Sequence, residues 1–232
     1  FVTYTEDHDQ VANSGRGLRV HQHSEPGSFR ALTALLLLGP GTPMLFQGQE
    51  FGATAPFLYF VDHHDELGRQ VREGRNRFLS QFATATTPEM QSHLPDPCDR
   101  ATFERSILDW REAERNQDVI DLHRDLIRLR REDPVFRSQR HRGLDGAVLS
   151  EYAFLLRFFG DDGDDRLLIV NLGRDLNLTP GPEPLLAPPA GRLWTPLWSS
   201  ENPKYGGCGS MPPETEQNWW VAGRSALALA PV

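Results

Sequence analysis

The segment Thr5-Glu6-Asp7-His8-Asp9-Gln10 follows the short apolar run Phe1-Val2-Thr3-Tyr4 and sets an imidazole beside a carboxylate where a strand should end. A carboxylate in that position can stabilise an oxocarbenium-like transition state, and the neighbouring imidazole can hydrogen-bond a sugar hydroxyl. Glycoside hydrolysis uses such a pair together with two further carboxylates, an acid/base and, in retaining enzymes, a nucleophile about 5–5.5 Å from it. The plainer reading of His8 and Asp9 is loop capping. A second polar pair, Gln49 and Glu50, follows the apolar stretch Met44-Leu45-Phe46-Gln47 and can either bond a sugar or orient loops. Tyr59, Phe60, Asp62 and His63 come next. Aromatic faces stack on sugar rings while Asp and His read hydroxyls, so these four form a candidate binding lip, with an ordinary loop-packing cluster as the alternative.

Other chemistry-bearing residues point elsewhere. His63-His64-Asp65 has no further ligands nearby at zinc spacing, so no metal site is expected. The acidic run Asp161 to Asp165 lacks the spacing of a calcium loop and reads as a solvated hairpin tip. Trp194, Trp198, Trp219 and Trp220 either form a sugar-stacking platform or pack a β domain.

The elements that must position these groups change character along the chain. Phe1 to Thr5 reads as a strand. Phe29, Leu32, Leu35 and Leu36 recur at helical spacing, with Ser28 or Ser24 as N-cap and Gly39-Pro40-Gly41 as the stop. Met44 to Gln47 reads as a buried parallel strand, completing a βαβ unit. Residues 52 to 115 are polar and irregular, with short helices expected inside them. Val119, Leu122, Leu126 and Leu129 form a helical stripe that Pro134 closes. Beyond it, aromatic-rich runs at Tyr152–Phe159, Leu167–Leu172, Leu193–Trp198, Trp219–Val221 and Ala226–Leu229 read as consecutive strands. The switch places a domain boundary near residue 134.

Composition narrows the function classes. The 232 residues carry a net charge of −8, which disfavours nucleic-acid and anionic-membrane surfaces as partners. No apolar run approaches the ~18 residues of a membrane helix, and nothing resembles a signal peptide, so a cytoplasmic protein is expected. Cys98 and Cys208 are far apart and read as unpaired thiols. Nearly all positive charge is arginine: Lys204 is the one lysine among 24 basic residues.

Phe1 to Gln10 resembles the strand-seven motif of the α-amylase family, an apolar strand running into Asn-His-Asp, and Gly41 to Gly52 resembles that family's strand-eight segment. The likeness is closest to its malto-oligosyltrehalose trehalohydrolase branch. It is carried by Thr42 to Gly52, Phe57 to His63, Val71-Arg72-Glu73-Gly74-Arg75, Asp96-Pro97, Ala101 to Ser106, Leu108-Asp109-Trp110 and Arg124 to Pro134.

The resemblance implies the last two βα units of a (β/α)8 TIM barrel over residues 1–134, then a small antiparallel β-sandwich over 135–232. It implies a retaining hydrolase that cuts the α-1,4 bond next to the trehalose end of maltooligosyl trehalose, with no cofactor. Asp9 would be the transition-state stabiliser, and His8, Gln10, Gln49, Glu50, Tyr59, Phe60, Asp62 and His63 would contact substrate. The nucleophilic Asp and acid/base Glu would lie on strands four and five, outside this sequence, so the chain alone is expected to be inactive and to have the rest of the barrel as partner. The family's Asn before His is Asp7 here, an added negative charge beside Asp9. The other readings are a different α-amylase-family enzyme, such as a branching enzyme, and a non-catalytic glucan-binding or structural β module.

Overall fold

The computed structural model describes residues 1–83, 86–139, 143–209 and 218–232. In chain order the elements are β1 (Val2–Thr3), α1 (His8–Asn13), α2 (Val20–His23), α3 (Pro26–Leu38), β2 (Thr42–Pro43), α4 (Asp65–Leu79), α5 (Pro88–Ser92), α6 (Arg100–Arg105), α7 (Glu112–Arg115), α8 (Gln117–Glu132) and α9 (Pro134–Ser138). The strands β3 (Leu144–Ser150), β4 (Ala153–Phe158), β5 (Arg166–Asn171), β6 (Leu176–Leu178), β7 (Trp194–Ser199), β8 (Trp219–Val221) and β9 (Ser225–Pro231) follow. Among the described residues no helix is long and apolar enough to cross a membrane.

Packing divides the chain into two units whose limits do not fall at residue 134. One joins Phe1–Thr5, Ser24–Met44 and Gln117–Val232; the other joins Glu6–His23 and Leu45–Asn116. The cause lies in α3 and α8, which pack on each other, while α3 also lies against β5 and β9. Helices expected on the barrel side therefore group with the β domain.

In the first unit β1 and β2 pair in parallel, with Val2 opposite Thr42 and Thr3 opposite Pro43. This is the expected βαβ crossover, but its strands are shorter than anticipated. The second strand is Thr42–Pro43 rather than Met44–Gln47. The N-cap of α3 is Glu25, extended at φ −70° and ψ 149°, and neither Ser28 nor Ser24. Pro26 decides this, because its fixed φ and missing N–H suit the first helical position. The helix ends at Gly39 as expected, and Arg130 of α8 donates to the carbonyls of Leu37 (2.9 Å), Gly39 (3.0 Å) and Gly41, groups left open by the helix end. Pro134 does more than close α8. It opens α9, whose cap Asp133 accepts from Val135 and Phe136 N–H at 3.0 Å each and from Arg166 at 2.8 Å.

The β domain is a sandwich. Five antiparallel strands in the order β3-β4-β5-β9-β7 face the antiparallel pair β6-β8. Leu155, Leu167, Ile169, Leu227 and Leu229 of the larger sheet meet Trp219 and Val221 of the smaller in one core. Alternation turns Leu168, Val170, Ala226 and Ala228 to the opposite face, on the strands that α3 covers. Both faces of β5 are thus buried, and its sequence runs apolar from Leu167 to Val170.

Trp194, Trp198 and Trp219 serve this interior, and Trp220 is half-buried. Trp194 and Trp198 are buried and donate their indole N–H to Leu186 O (2.7 Å) and Tyr205 Oη (3.2 Å), and Trp219 lies in the core. Their rings are not available as a glucan platform. Strands β3 and β6 had no counterpart in the sequence reading, because β3 is mostly half-buried or exposed and β6 has three residues.

Polar locks join helix to sandwich. Arg30 of α3 donates to Ser200 O at 2.8 Å and to Glu201 at 2.7 Å. Asp125 of α8 accepts from Lys204 Nζ at 2.7 Å and Tyr205 Oη at 2.6 Å. Burial alone would raise the Asp125 carboxyl, but those two donors and the charges of Lys204 and Arg128 outweigh it and hold the group below the ordinary aspartate range. A carboxylate depressed in this way contributes stability that is fully present above ~3.9 and is lost as pH falls through the lower native value. Urea unfolding at pH 7 should therefore find Asp125→Asn less stable than wild type by about 1–3 kcal/mol. The difference should shrink as pH drops below about 4; a difference that stays constant to pH 3 would show that the ionised carboxylate is not the source.

Candidate functional site

All the candidate site residues lie in the second unit. The first of them sit on a helix rather than at a strand end. β1 stops at Thr3, and Asp7, extended at φ −138° and ψ 179°, caps α1. Its carboxylate accepts Gln10 N–H at 2.8 Å, while Gln10 Oε1 accepts Asp7 N–H at 3.2 Å, a reciprocal capping box. Asp7 is thus a competent cap. Gln10 spends its carbonyl oxygen on that cap, which leaves only its amide NH2 for any sugar.

Buried Val11 and Ala12 anchor the other side of α1. His8 and Asp9 point outward with side chains 69% and 76% exposed, His8 Nε2 lying 3.6 Å from Asp9 Oδ1. The pair is open to a ligand.

The same unit holds a buried charged pair that sequence reading passed over. Glu6 is 1% exposed and Arg19 is 0% exposed. Glu6 accepts Val20 N–H at 2.6 Å, and its other oxygen lies 3.9 Å from Arg19 Nη1. Arg19 donates from Nε to Ala55 O (2.9 Å) and from Nη1 to Gln47 O (2.7 Å), with its guanidinium carbon 5.3 Å from the Phe46 ring centre. It therefore pins both flanks of the Gln49–Glu50 turn to the segment that follows α1. Burial pushes the Glu6 carboxyl up, against the Val20 N–H and the Arg19 charge. Burial pushes Arg19 down, opposed by Glu6, Glu50 and Glu112. The signal available in the sequence was a lone arginine between Leu18 and Val20, which has no periodicity to mark it.

Gln49 and Glu50 occupy a 3-10 turn, Gln49–Phe51, between Gly48 (φ 86°) and Gly52 (φ 61°). Left-handed backbone is needed at Gly48, and a side-chain carbon there would stand 2.7 Å from Ala53 Cβ. Gln49 is 1% exposed and accepts Phe46 N–H through Oε1 at 3.2 Å. Its side chain is thus turned into its own turn, away from solvent. Glu50 is half-buried within the field of Arg19. Glu112 accepts Thr54 N–H at 3.0 Å and the Thr54 hydroxyl, fixing the next residues.

Tyr59 and Phe60 are 40% and 36% exposed. The Phe60 ring meets Phe57 and Phe103 edge-on at 6.1 and 5.2 Å, so it belongs partly to a packing cluster. Tyr59 carries the guanidinium of Arg75 at 4.6 Å from its ring centre. Asp62 is exposed with its Oδ1 3.4 Å from His64 Nε2, and His63 is exposed beside them. Among the described residues no three His, Cys, Asp or Glu side chains converge to hold a metal ion. The result is an exposed carboxylate, imidazoles and aromatic rings on one unit, supported by buried arginine.

Residues 141–230 match a family described as a domain of unknown function, DUF3459. The malto-oligosyltrehalose trehalohydrolase of Deinococcus radiodurans is 38% identical over 179 residues, covering 75% of this chain and 28% of that protein. That of Arthrobacter ramosus is 43% identical over 150 residues, 63% of this chain and 25% of that protein. The chain thus spans about a quarter of the length of these relatives. Among solved structures, a putative α-amylase of Salmonella typhimurium superposes with a TM-score of 0.74 at 26% identity, covering 99% of this chain and 35% of that one.

The Glu6–Arg19 pair gives a direct test of what supports the site. Arg19→Met should leave Glu6 buried without a counter-charge and the Gln47 and Ala55 carbonyls without their donor, costing about 3–5 kcal/mol. Chemical denaturation followed by Trp110 fluorescence, in the same unit, measures it. A loss below about 1 kcal/mol would mean that water replaces the guanidinium.

Proposed function

We propose that this chain, similar over most of its length to malto-oligosyltrehalose trehalohydrolases, is the C-terminal part of an α-amylase-family glycoside hydrolase that releases trehalose from maltooligosyl trehalose. In this reading residues 1–134 are the last two βα units and final helix of a (β/α)8 barrel, and 135–232 are its C-terminal β-sandwich. The observation that carries the proposal is the 37–43% identity to several trehalohydrolases over 57–75% of this chain.

Asp9 is assigned the transition-state role. Its exposed carboxylate, at the start of a helix whose N–H groups favour negative charge, is suited to stabilising the positive charge that grows on the anomeric carbon. His8 Nε2 lies close enough to share a sugar hydroxyl with it. Tyr59 and Phe60 offer apolar faces, and Asp62 and His63 offer polar edges at the rim. Gln10 retains one amide for the substrate, while Glu50 acts on the loop through Arg19. The α-1,4 bond is made and broken by a nucleophilic Asp and an acid/base Glu supplied by the remaining barrel strands, which are the partner this chain requires. Burial of Trp194, Trp198 and Trp219 argues against the glucan-binding β module.

Incubated alone with maltooligosyl trehalose, the chain should release no trehalose. Turnover at the ~1–10³ s⁻¹ typical of enzymes would overturn the assignment. In a longer protein that contains this segment, Asp9→Asn should lower kcat by at least about a hundredfold with a smaller change in KM. Equal kcat in that variant would remove Asp9 from the mechanism.

A further inference from the structure

α1 is six residues long and has no basic residue in its last turn, so its C-terminal carbonyls need a donor from elsewhere. Arg75, on α4, supplies one. Its Nη2 donates to Ala12 O at 3.0 Å and its Nη1 to Asn13 Oδ1 at 2.6 Å. The same guanidinium lies 4.6 Å from the Tyr59 ring centre and 5.8 Å from that of Phe78. It also interacts electrostatically with Asp9. One planar cation thus touches the end of the helix that bears His8 and Asp9, the aromatic residue of the rim, and the helix behind both. A lysine could supply the charge but not two diverging N–H donors together with a flat face for the ring.

We propose that Arg75 is a positioning residue that joins α1 and Tyr59 into one sugar-facing surface and leaves a single face of the Tyr59 ring for a glucosyl unit to stack on. The proposal rests on the glucan-hydrolase reading for the identity of the ligand, but not for the clamp itself. With Arg75 on one side of the ring, stacking from that side is closed. Tyr59 remains 40% exposed, so a sugar that stacks on it takes the side that Arg75 does not occupy. The clamp fixes where that surface lies relative to Asp9, because Ala12 and Asn13 close the helix that Asp9 begins.

The test uses the chain as it is, with maltohexaose as probe and NMR as readout, on wild type, Arg75→Met and Arg75→Lys. In Arg75→Met the Val11 and Ser14 amides, which bond to Asp7 and Val11 carbonyls, should lose at least about tenfold in exchange protection. The Tyr59 ring resonances should move with the loss of the stacked cation, and maltohexaose affinity should fall about tenfold or more. Arg75→Lys should recover part of the ring signature and little of the amide protection. Unchanged amide protection and ring resonances in Arg75→Met would overturn the proposal whatever the sugar does. Lowered protection with an unmoved ring would also overturn it, leaving only a helix clamp. If wild type binds maltohexaose and Arg75→Met binds it equally well, positioning is refuted while the glucan reading stands. If wild type gives no sugar response, the glucan reading fails for this chain, and the amide and ring signals alone decide the clamp.

Discussion

The β5–β9 pair must be dry on both sides, and the first unit is organised around that requirement. On one side Leu167, Ile169, Leu227 and Leu229 meet the small sheet across the sandwich core. On the other, Ala226 and Ala228 present little side chain, which lets α3 approach closely, while Leu168 and Val170 fill the space beside them. A strand buried on both faces gains apolar burial along its middle, and its polar ends, Arg166 and Asn171, take their partners from the protein and not from water. The helices that cover it cannot be detached from the sandwich without exposing that surface. This is why α3 and α8 group with a domain that begins beyond them in the chain.

Covering a sheet with loops and helix ends creates a second demand, for donors to loose carbonyl groups, and arginine meets it repeatedly. Arg19 bonds the carbonyls of Gln47 and Ala55, Arg30 those of Ser200 and Gly206, Arg130 those of Leu37, Gly39 and Gly41, and Arg157 those of Leu185 and Ala187. A guanidinium is flat, spreads its donors in a fork and tolerates partial burial, whereas an ammonium is compact and strongly hydrated. The near absence of lysine from the sequence therefore has a structural counterpart. In the second unit, whose elements among the described residues are helices joined by loops, Arg19 holds the loop that carries Gln49 and Glu50.

The legible parts of the fold were those with a period. The apolar and aromatic runs of β4, β5, β7 and β9 and the stripe of α8 lay within a few residues of their true limits, and Gly39 marked the end of α3. Local chemistry without a period was misread. The capping box of Asp7 and Gln10 turned an expected strand end into a helix start, and Pro26 moved the start of α3 away from its serines. α4 went unread because, of its fifteen residues, Gly68 and Leu79 are the ones buried, too few to form a stripe. Of the candidate residues, His8, Asp9, Tyr59 and Phe60, named from their chemistry and from the family likeness, are exposed. Gln49 was not separable from a surface residue by type alone, since a buried amide and an exposed one have the same letter. Glu6 and Arg19 are thirteen positions apart and meet only in the fold.

Lys204 is the sole lysine, and its ammonium rests on Asp125 at the junction of α8 with the sandwich. An amine-selective reagent therefore meets one side chain in the whole sequence, and that side chain is partly withheld by its ion pair. Acylation there would erase the charge that faces Asp125, so one covalent change at a half-exposed amine removes the ionic half of the link between α8 and the sandwich and leaves the Tyr205 hydroxyl in place.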